Sequence, residues 1–148
     1  MVSIQSATRE DIPALSELLT ILFTQEADFT PDNEKQRSGL GKIIDQPETG
    51  HVLVLRESDT VIGMISLLYM VSTALGGRVA VLEDFILVPA QRGKGLGTSL
   101  LNAAIAFAKE NSCLRITLLT DLDNDQAISF YLRNGFTKSA MTPMRLML

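Results

Sequence analysis

Apolar positions along this chain change period several times, and each change predicts an element. Residues 2–7 alternate apolar and polar, which predicts a short strand with one buried face. Thr8 then precedes Arg9, Glu10 and Asp11, a capping residue followed by acids in a first helical turn. Ile12, Leu15, Leu18 or Leu19, and Leu22 recur at helical spacing to about Phe23, and Pro13 is tolerable because it falls in the first turn. Residues 25–33 read as a polar loop. A weaker helix follows over 33–45, interrupted by Gly39 and Gly41. Strands at 51–56, 61–71 and 78–88, with turns at Ser58-Asp59 and Gly76-Gly77, predict an antiparallel meander.

Helical spacing returns after a glycine-rich break. Leu96, Leu100, Ala104, Phe107 and Ala108 form one face of a helix ending near Asn111, and the alanines there allow close packing on a sheet. Residues 113–120 are apolar and β-branched, a buried strand running parallel to the one before the break, as a right-handed crossover requires. Residues 121–124 are a turn rich in capping residues, with Asp123 and Gln126 spaced like a capping box. A helix to about Asn134 stops at Gly135, and 136–140 and 143–148 read as two closing strands. The order is β α α β β β α β α β β: a single α/β (α+β) domain over 1–148, built on a mixed, mainly antiparallel sheet of seven strands flanked by about four helices.

Composition changes this picture little. The chain has 148 residues, 46% of them hydrophobic, and a net charge of −4, so broad nucleic-acid binding is disfavoured and a cationic ligand mildly favoured. Its one cysteine, Cys113, permits no intrachain disulfide and suits a reducing, cytoplasmic setting. No signal peptide or transmembrane span is expected. His51 is the lone histidine and has no partner cluster, so it is expected to be structural and no metal is expected. Cys113 lacks an activating histidine nearby in sequence and reads as packing.

Candidate chemistry sits at the glycine-rich break. Strand, basic glycine loop and helix form an anion-binding arrangement, because free N–H groups and the helix dipole meet there. A Walker A loop is excluded, since Lys94 is followed by Gly95 rather than Ser or Thr. A dinucleotide fingerprint fails because Thr98 stands where its last glycine belongs. The run Arg92-Gly93-Lys94-Gly95-Leu96-Gly97 resembles Arg/Gln-x-x-Gly-x-Gly/Ala, the pyrophosphate loop of the GNAT superfamily of acetyl-CoA-dependent N-acetyltransferases. Asn124, Ala127, Tyr131 and then Gly135-Phe136 resemble a second signature of that superfamily. Both together cover roughly residues 61–136.

The resemblance implies a GNAT fold whose two central parallel strands splay apart around pantetheine. Backbone groups of Phe85, Ile86 and Leu87 would hold the pantetheine like an added strand, and one N–H could stabilise the oxyanion. Arg92, Gly93, Lys94, Gly95, Leu96, Gly97 and Thr98 would hold the pyrophosphate. Asn124 and Ala127 would border the pantetheine arm. Tyr131 matches the family's general acid for the leaving thiolate, on the same helix face as Asn124. A free amine is needed for attack on the thioester, so a base must take its proton. Glu83 is the first choice for that base, with Asp84 as runner-up because a bulge could exchange them. Leu82-Glu83-Asp84-Phe85 looks like the same strand in polyamine acetyltransferases. Glu26, Asp28 and Asp32 lie in a loop that borders the acceptor site in the superfamily, and Glu26 with Glu83 and Asp84 would draw in a cation.

These readings imply acetyl transfer to a small, polyamine-like amine in a ternary complex. Aminoglycosides, amino sugars, and protein or peptide amines remain open as acceptors, and so does a non-catalytic acyl-CoA-binding regulatory module. A homodimer is allowed, with the apolar stretch Met144 to Leu148 free to pair between chains.

Overall fold

The computed structural model describes residues 1–26 and 29–148. Its elements are β1 (Val2–Ser6), a 3-10 turn (Arg9–Asp11), α1 (Ile12–Gln25), α2 (Asn33–Ile44), β2 (Gly50–Glu57), β3 (Thr60–Ser72), β4 (Gly77–Leu87), α3 (Leu96–Glu110), β5 (Ile116–Leu118) and α4 (Asp125–Arg133). The sheet order is β1-β2-β3-β4-β5. The first four strands run antiparallel to their neighbours, and β5 runs parallel to β4.

Alternation along the central strands sorts the core into two layers. Val52, Val54 and Met64 pack with Leu15, Leu18 and Leu19 of α1 and Leu40 of α2. Their neighbours Leu53, Leu55 and Ile65 face the other way and pack with Leu100, Leu101, Ala104 and Ala108 of α3. A three-layer sandwich with helices on both sheet faces results, as the sequence pattern predicts.

Three local features tie the N-terminal layers together. Thr8 N–H donates to Asp11 Oδ2 at 2.8 Å, while Arg56 Nη2 on β2 donates to Asp11 Oδ1 at 2.5 Å. Asp32, a loop acid in the sequence, caps α2 by accepting from the N–H groups of Glu34 and Lys35. Gln36 of α2 donates to the Ser16 carbonyl of α1 at 2.9 Å, so the buried amide is satisfied.

The C-terminal third departs from expectation. β5 is three residues long, where eight were predicted, and five strands are formed among the described residues rather than seven. The predicted closing strands at 136–140 and 143–148 are not formed: residues 137–148 adopt no regular structure and every one is exposed. Apolar pattern alone does not make a strand; a partner edge must supply the hydrogen bonds. The predicted Asp123–Gln126 capping box is replaced by a single side-chain cap. Asn124, not Asp123, caps α4, its side-chain oxygen accepting from Ala127 N–H at 3.1 Å.

Candidate active site

Strand β4 holds the site because its two ends have different neighbours. Ala80, Val81 and Leu82 pair with Ile116, Thr117 and Leu118 of β5. Beyond Leu82 that pairing ends, and β4 continues to Leu87 paired only with β3. Val88 N–H donates to the Ile62 carbonyl at 2.9 Å, so by alternation the main-chain groups of Ile86 also turn to β3. Those of Phe85 and Leu87 face the unpaired side. Ile86 contributes its side chain to the α1 core instead.

A register shift lies opposite this opening. Ile65 pairs with Phe85 but Leu67 pairs with Leu82, so one residue of β3, Ser66, faces two of β4, Glu83 and Asp84. Ser66 Oγ accepts the Asp84 N–H at 3.1 Å and lies 3.4 Å from Asp84 Oδ2, to which it donates. The bulge sends the two acids to different surroundings. Glu83 is exposed and Asp84 is partly buried. Burial pushes the Asp84 carboxyl up to about 7, with the negative charges of Glu83 and Glu26 adding to the rise and the Ser66 hydroxyl opposing it. The desolvation expected of Glu83 is therefore found at its neighbour. Ser66 was not singled out in the sequence, although a lone hydroxyl inside the run Gly63 to Met70 is a visible break.

Glu26 ends α1 as its C-terminal capping residue. Its charge acts on Asp84 and on Tyr131 alike, which brings the end of α1, the β4 bulge and α4 to one place. Asp28 lies outside the described residues. Tyr131 stands in an aromatic group with Phe85, Phe130 and Phe136, at ring separations of 6.4, 5.4 and 5.5 Å. Burial and then the Glu26 charge push the Tyr131 hydroxyl up to about 12. It stays protonated throughout the working pH range, as a proton donor must.

The glycine loop joins β4 to α3. Gly93 and Gly95 have φ of 80° and 78°, the left-handed region that side chains disfavour, and Gly95 is the N-cap of α3. Among the described residues, the N–H groups of Gly93, Lys94, Gly95, Leu96, Gly97 and Thr98 have no acceptor within the protein. A β-carbon added at Gly97 would lie 3.6 to 3.9 Å from Leu87, Phe130 and Phe85, so this glycine sits over the same opening. The two cations behave differently from the sequence picture. Arg92 donates through Nε and Nη2 to the Leu87 carbonyl at 3.2 and 3.1 Å, tying the loop back to the strand end. Lys94 Nζ donates to Gln91 Oε1 at 3.1 Å and remains exposed. Backbone amides, with the α3 dipole behind them, are the principal anion donors of the loop.

An open strand edge lies beside six free amides at a helix start, an arrangement suited to a ligand with a diphosphate tail, and Asp84 and Tyr131 both feel the charge of Glu26. Comparison with known proteins agrees. A model of the acetyltransferase (GNAT) family matches residues 12–136. The chain belongs to that family.

Relatives place it among N-acetyltransferases. Aminoalkylphosphonate N-acetyltransferase of Salmonella typhimurium is 27% identical over 92% of this chain and 85% of that protein. The uncharacterized N-acetyltransferase YhfO of Bacillus subtilis is 35% identical over 57% of each chain. The crystal structure of a possible acetyltransferase from Clostridium difficile superposes with a TM-score of 0.90 over 100% of this chain and 98% of that one, at 15% identity, which shows a shared fold.

The remaining candidates fall away from the cleft. His51 stacks on Phe107 at 3.9 Å and bonds Ser6 Oγ at 2.8 Å, a packed structural ring. Among the described residues, no group of three or more His, Cys, Asp or Glu is placed to hold a metal ion. Among the described residues, no helix is long and apolar enough to cross a membrane.

Proposed function

We propose that this protein moves the acetyl group of acetyl-CoA to the free amine of a small cationic acceptor by direct attack in a ternary complex. Family membership supports the reaction class, and the free loop amides support coenzyme A as the carrier. The observation that carries the mechanism is the Ser66–Asp84 bulge at the open end of β4.

Asp84 is the base in this reading. An alkylammonium with a pKa near 10.4 must lose a proton before nitrogen can attack. A carboxylate whose pKa is near 7 is a stronger acceptor than an ordinary one, yet about half of it is ionised at neutral pH. Nitrogen then bonds to the thioester carbon while an N–H facing the cleft, from Phe85 or Leu87, steadies the developing oxyanion. As the C–S bond breaks, Tyr131 gives its proton to sulfur, and the second proton that nitrogen sheds on becoming an amide restores the tyrosine hydroxyl through solvent. The transfer to sulfur is uphill from a phenol near 12 to a thiol, so the proton moves only as negative charge builds on sulfur. Phe85, Leu87, Asn124 and Ala127 line the pantetheine path, and Gly93 to Thr98 hold the diphosphate.

Glu83 and Glu26 attract the acceptor rather than deprotonate it. Three carboxylates around one cleft favour an amine with further positive charge, such as a diamine or polyamine. They disfavour an acceptor whose amine adjoins a phosphonate, the class named for the Salmonella relative. A cytoplasmic setting fits the unpaired Cys113, and a homodimer fits the C-terminal surface.

Free thiol released from acetyl-CoA in the presence of diamines, aminoalkylphosphonates, amino sugars, aminoglycosides and N-terminal peptides tests the reading. Diamines should give the highest kcat/KM. Tyr131→Phe should lower kcat for the best amine by roughly 10²-fold with its KM little changed. Unchanged turnover would remove Tyr131 from the chemistry, and no thiol release with any amine would leave an acyl-CoA-binding module.

A further inference from the structure

One hydroxyl is buried in the middle of an apolar strand. Between Val61 and Val71 of β3, Ser66 is the single residue with an aliphatic hydroxyl. It is fully buried, and so are its neighbours Met64, Ile65 and Leu67. A hydroxyl in such surroundings is unfavourable unless it is hydrogen-bonded, and an alanine would carry no such cost. The residue is also held from its other side, since it pairs with Val52 of β2. Its hydroxyl is thus a fixed point in the closed part of the sheet.

Both roles of that hydroxyl are given to one partner. Where two residues of a strand oppose one, the regular ladder is broken and a main-chain group loses its usual mate. The Asp84 N–H is bonded by a side chain there, Ser66 Oγ accepting it at 3.1 Å. With that lone pair occupied, the hydroxyl hydrogen is directed to Asp84 Oδ2 at 3.4 Å. A proton offered to a carboxylate favours its ionised form. The charges that act on Asp84 oppose ionisation: Glu83 beside it on β4 and Glu26 at the end of α1 both repel a further negative charge, and burial adds to them. Tyr131 of α4, reached by the same Glu26 charge, is neutral. The Ser66 hydroxyl is the contact that works the other way.

We propose that Ser66 is a positioning residue for the transfer reaction: its hydroxyl fixes the slip in register so that Asp84, and not Glu83, is turned inward, and it favours the ionised form of the inward carboxylate that receives the acceptor's proton. Ser66 acts through Asp84 alone. The inference rests on Asp84 being the base, while the hold on the Asp84 amide and carboxyl is measurable without turnover.

Carbon-13 NMR of the aspartate carboxyls in the full chain tests it, with Asp84→Asn identifying the Asp84 signal, alongside kcat/KM against pH on the same proteins. The test variants are Ser66→Ala and Ser66→Cys, the second keeping the size but donating only weakly. In both, the Asp84 titration and the acid limb of kcat/KM should move up together by about one pH unit, roughly a tenfold loss at pH 6 with little change at pH 9. Exchange of the Asp84 amide should quicken in both. Ser66→Thr keeps the hydroxyl and should bring titration and limb back to wild type. Added to Asp84→Asn, Ser66→Ala should lower kcat/KM by no more than about twofold further, because nothing is left for it to act through. Full activity in Asp84→Asn would remove the base and the proposed role with it. A titration unmoved by Ser66→Ala and Ser66→Cys, or a loss equal at every pH, in a protein that Asp84→Asn inactivates, would remove Ser66 alone.

Discussion

The first 108 residues and the last 40 are built differently. Every buried apolar residue among those described lies between Leu15 and Ala108. Before that boundary, four strands are paired and both sheet faces are covered by helices. After it, a three-residue strand, a helix without buried residues and an exposed tail without regular structure leave apolar side chains in water. Stability therefore resides in the first part and openness in the second. Strand β4 belongs to both, and its unpaired end is where the candidate chemistry lies. A cleft needs one rigid wall and one wall that leaves hydrogen-bonding groups unclaimed, and the junction supplies both.

Asp84 and Glu83 sharpen that comparison most, because one points into the rigid wall and the other into solvent. Asp84→Asn should lower kcat/KM by about 10²- to 10⁴-fold, the usual range for a lost general base. Glu83→Gln should mainly raise KM for the amine. In wild type, kcat/KM should climb with pH through about 7 as Asp84 ionises, and that limb should vanish in Asp84→Asn. Stability should move the other way. A carboxyl raised on folding holds a proton that the unfolded chain has lost, so its contribution falls as pH climbs from about 4 to 7. Asp84→Asn should then melt higher than wild type at pH 8. Equal loss of kcat/KM in both variants would erase the distinction between the two acids.

A direct test of the two parts compares leucines. Leu100, fully buried between α3 and the sheet, should cost about 2–5 kcal/mol on replacement by alanine. Leu122, exposed in the turn after β5, should change denaturant stability by no more than about 0.5 kcal/mol. Comparable losses would mean that the C-terminal part is packed in solution against something that covers the turn.

The same boundary separates what the sequence makes legible from what it hides. Alternation in β2 and β3 and helical spacing in α1 and α3 predict their elements, because those residues are buried by the chain's own partners. The glycine loop was visible for a related reason: backbone amides at a helix start need little help from elsewhere. Residues 143–148 are mostly apolar and form no strand, since pattern reports what a strand would bury and not whether an edge is there to receive it. The bulge at Ser66 was hidden as well. One unmatched residue in β4 exchanges the roles of two adjacent acids, and nothing in Leu82-Glu83-Asp84-Phe85 states where the register slips.

Glycines give a smaller contrast. Gly95 holds the left-handed conformation that starts α3, and a β-carbon there meets nothing within 4 Å. Gly95→Ala should cost roughly 1 kcal/mol through backbone strain and weaken coenzyme A binding in calorimetry. Gly39 lies inside α2, also with open space around it. Gly39→Ala should stabilise the protein by about 0.5–1 kcal/mol and leave coenzyme A affinity unchanged. Equal coenzyme A affinity in wild type and Gly95→Ala would detach the loop from the cofactor.

The smallest expected effect belongs to His51, which is sandwiched in the closed part between Phe107 and the end of β1. Burial holds its pKa below the usual imidazole value near 6.5. Its sign is opposite to that of Asp84. The unfolded chain takes up the proton first, so the contribution of His51 is fully present above about 6.5 and is lost as pH falls toward its lower folded value. Between pH 7 and 5 the two groups therefore pull the melting temperature in opposite directions, the histidine destabilising on acidification and the aspartate stabilising. Replacing His51 by Gln should remove one of these and make the melting temperature at pH 5 higher relative to that at pH 7.5. A pH dependence identical to wild type would mean that the stacked ring carries its proton in the fold as easily as in the open chain.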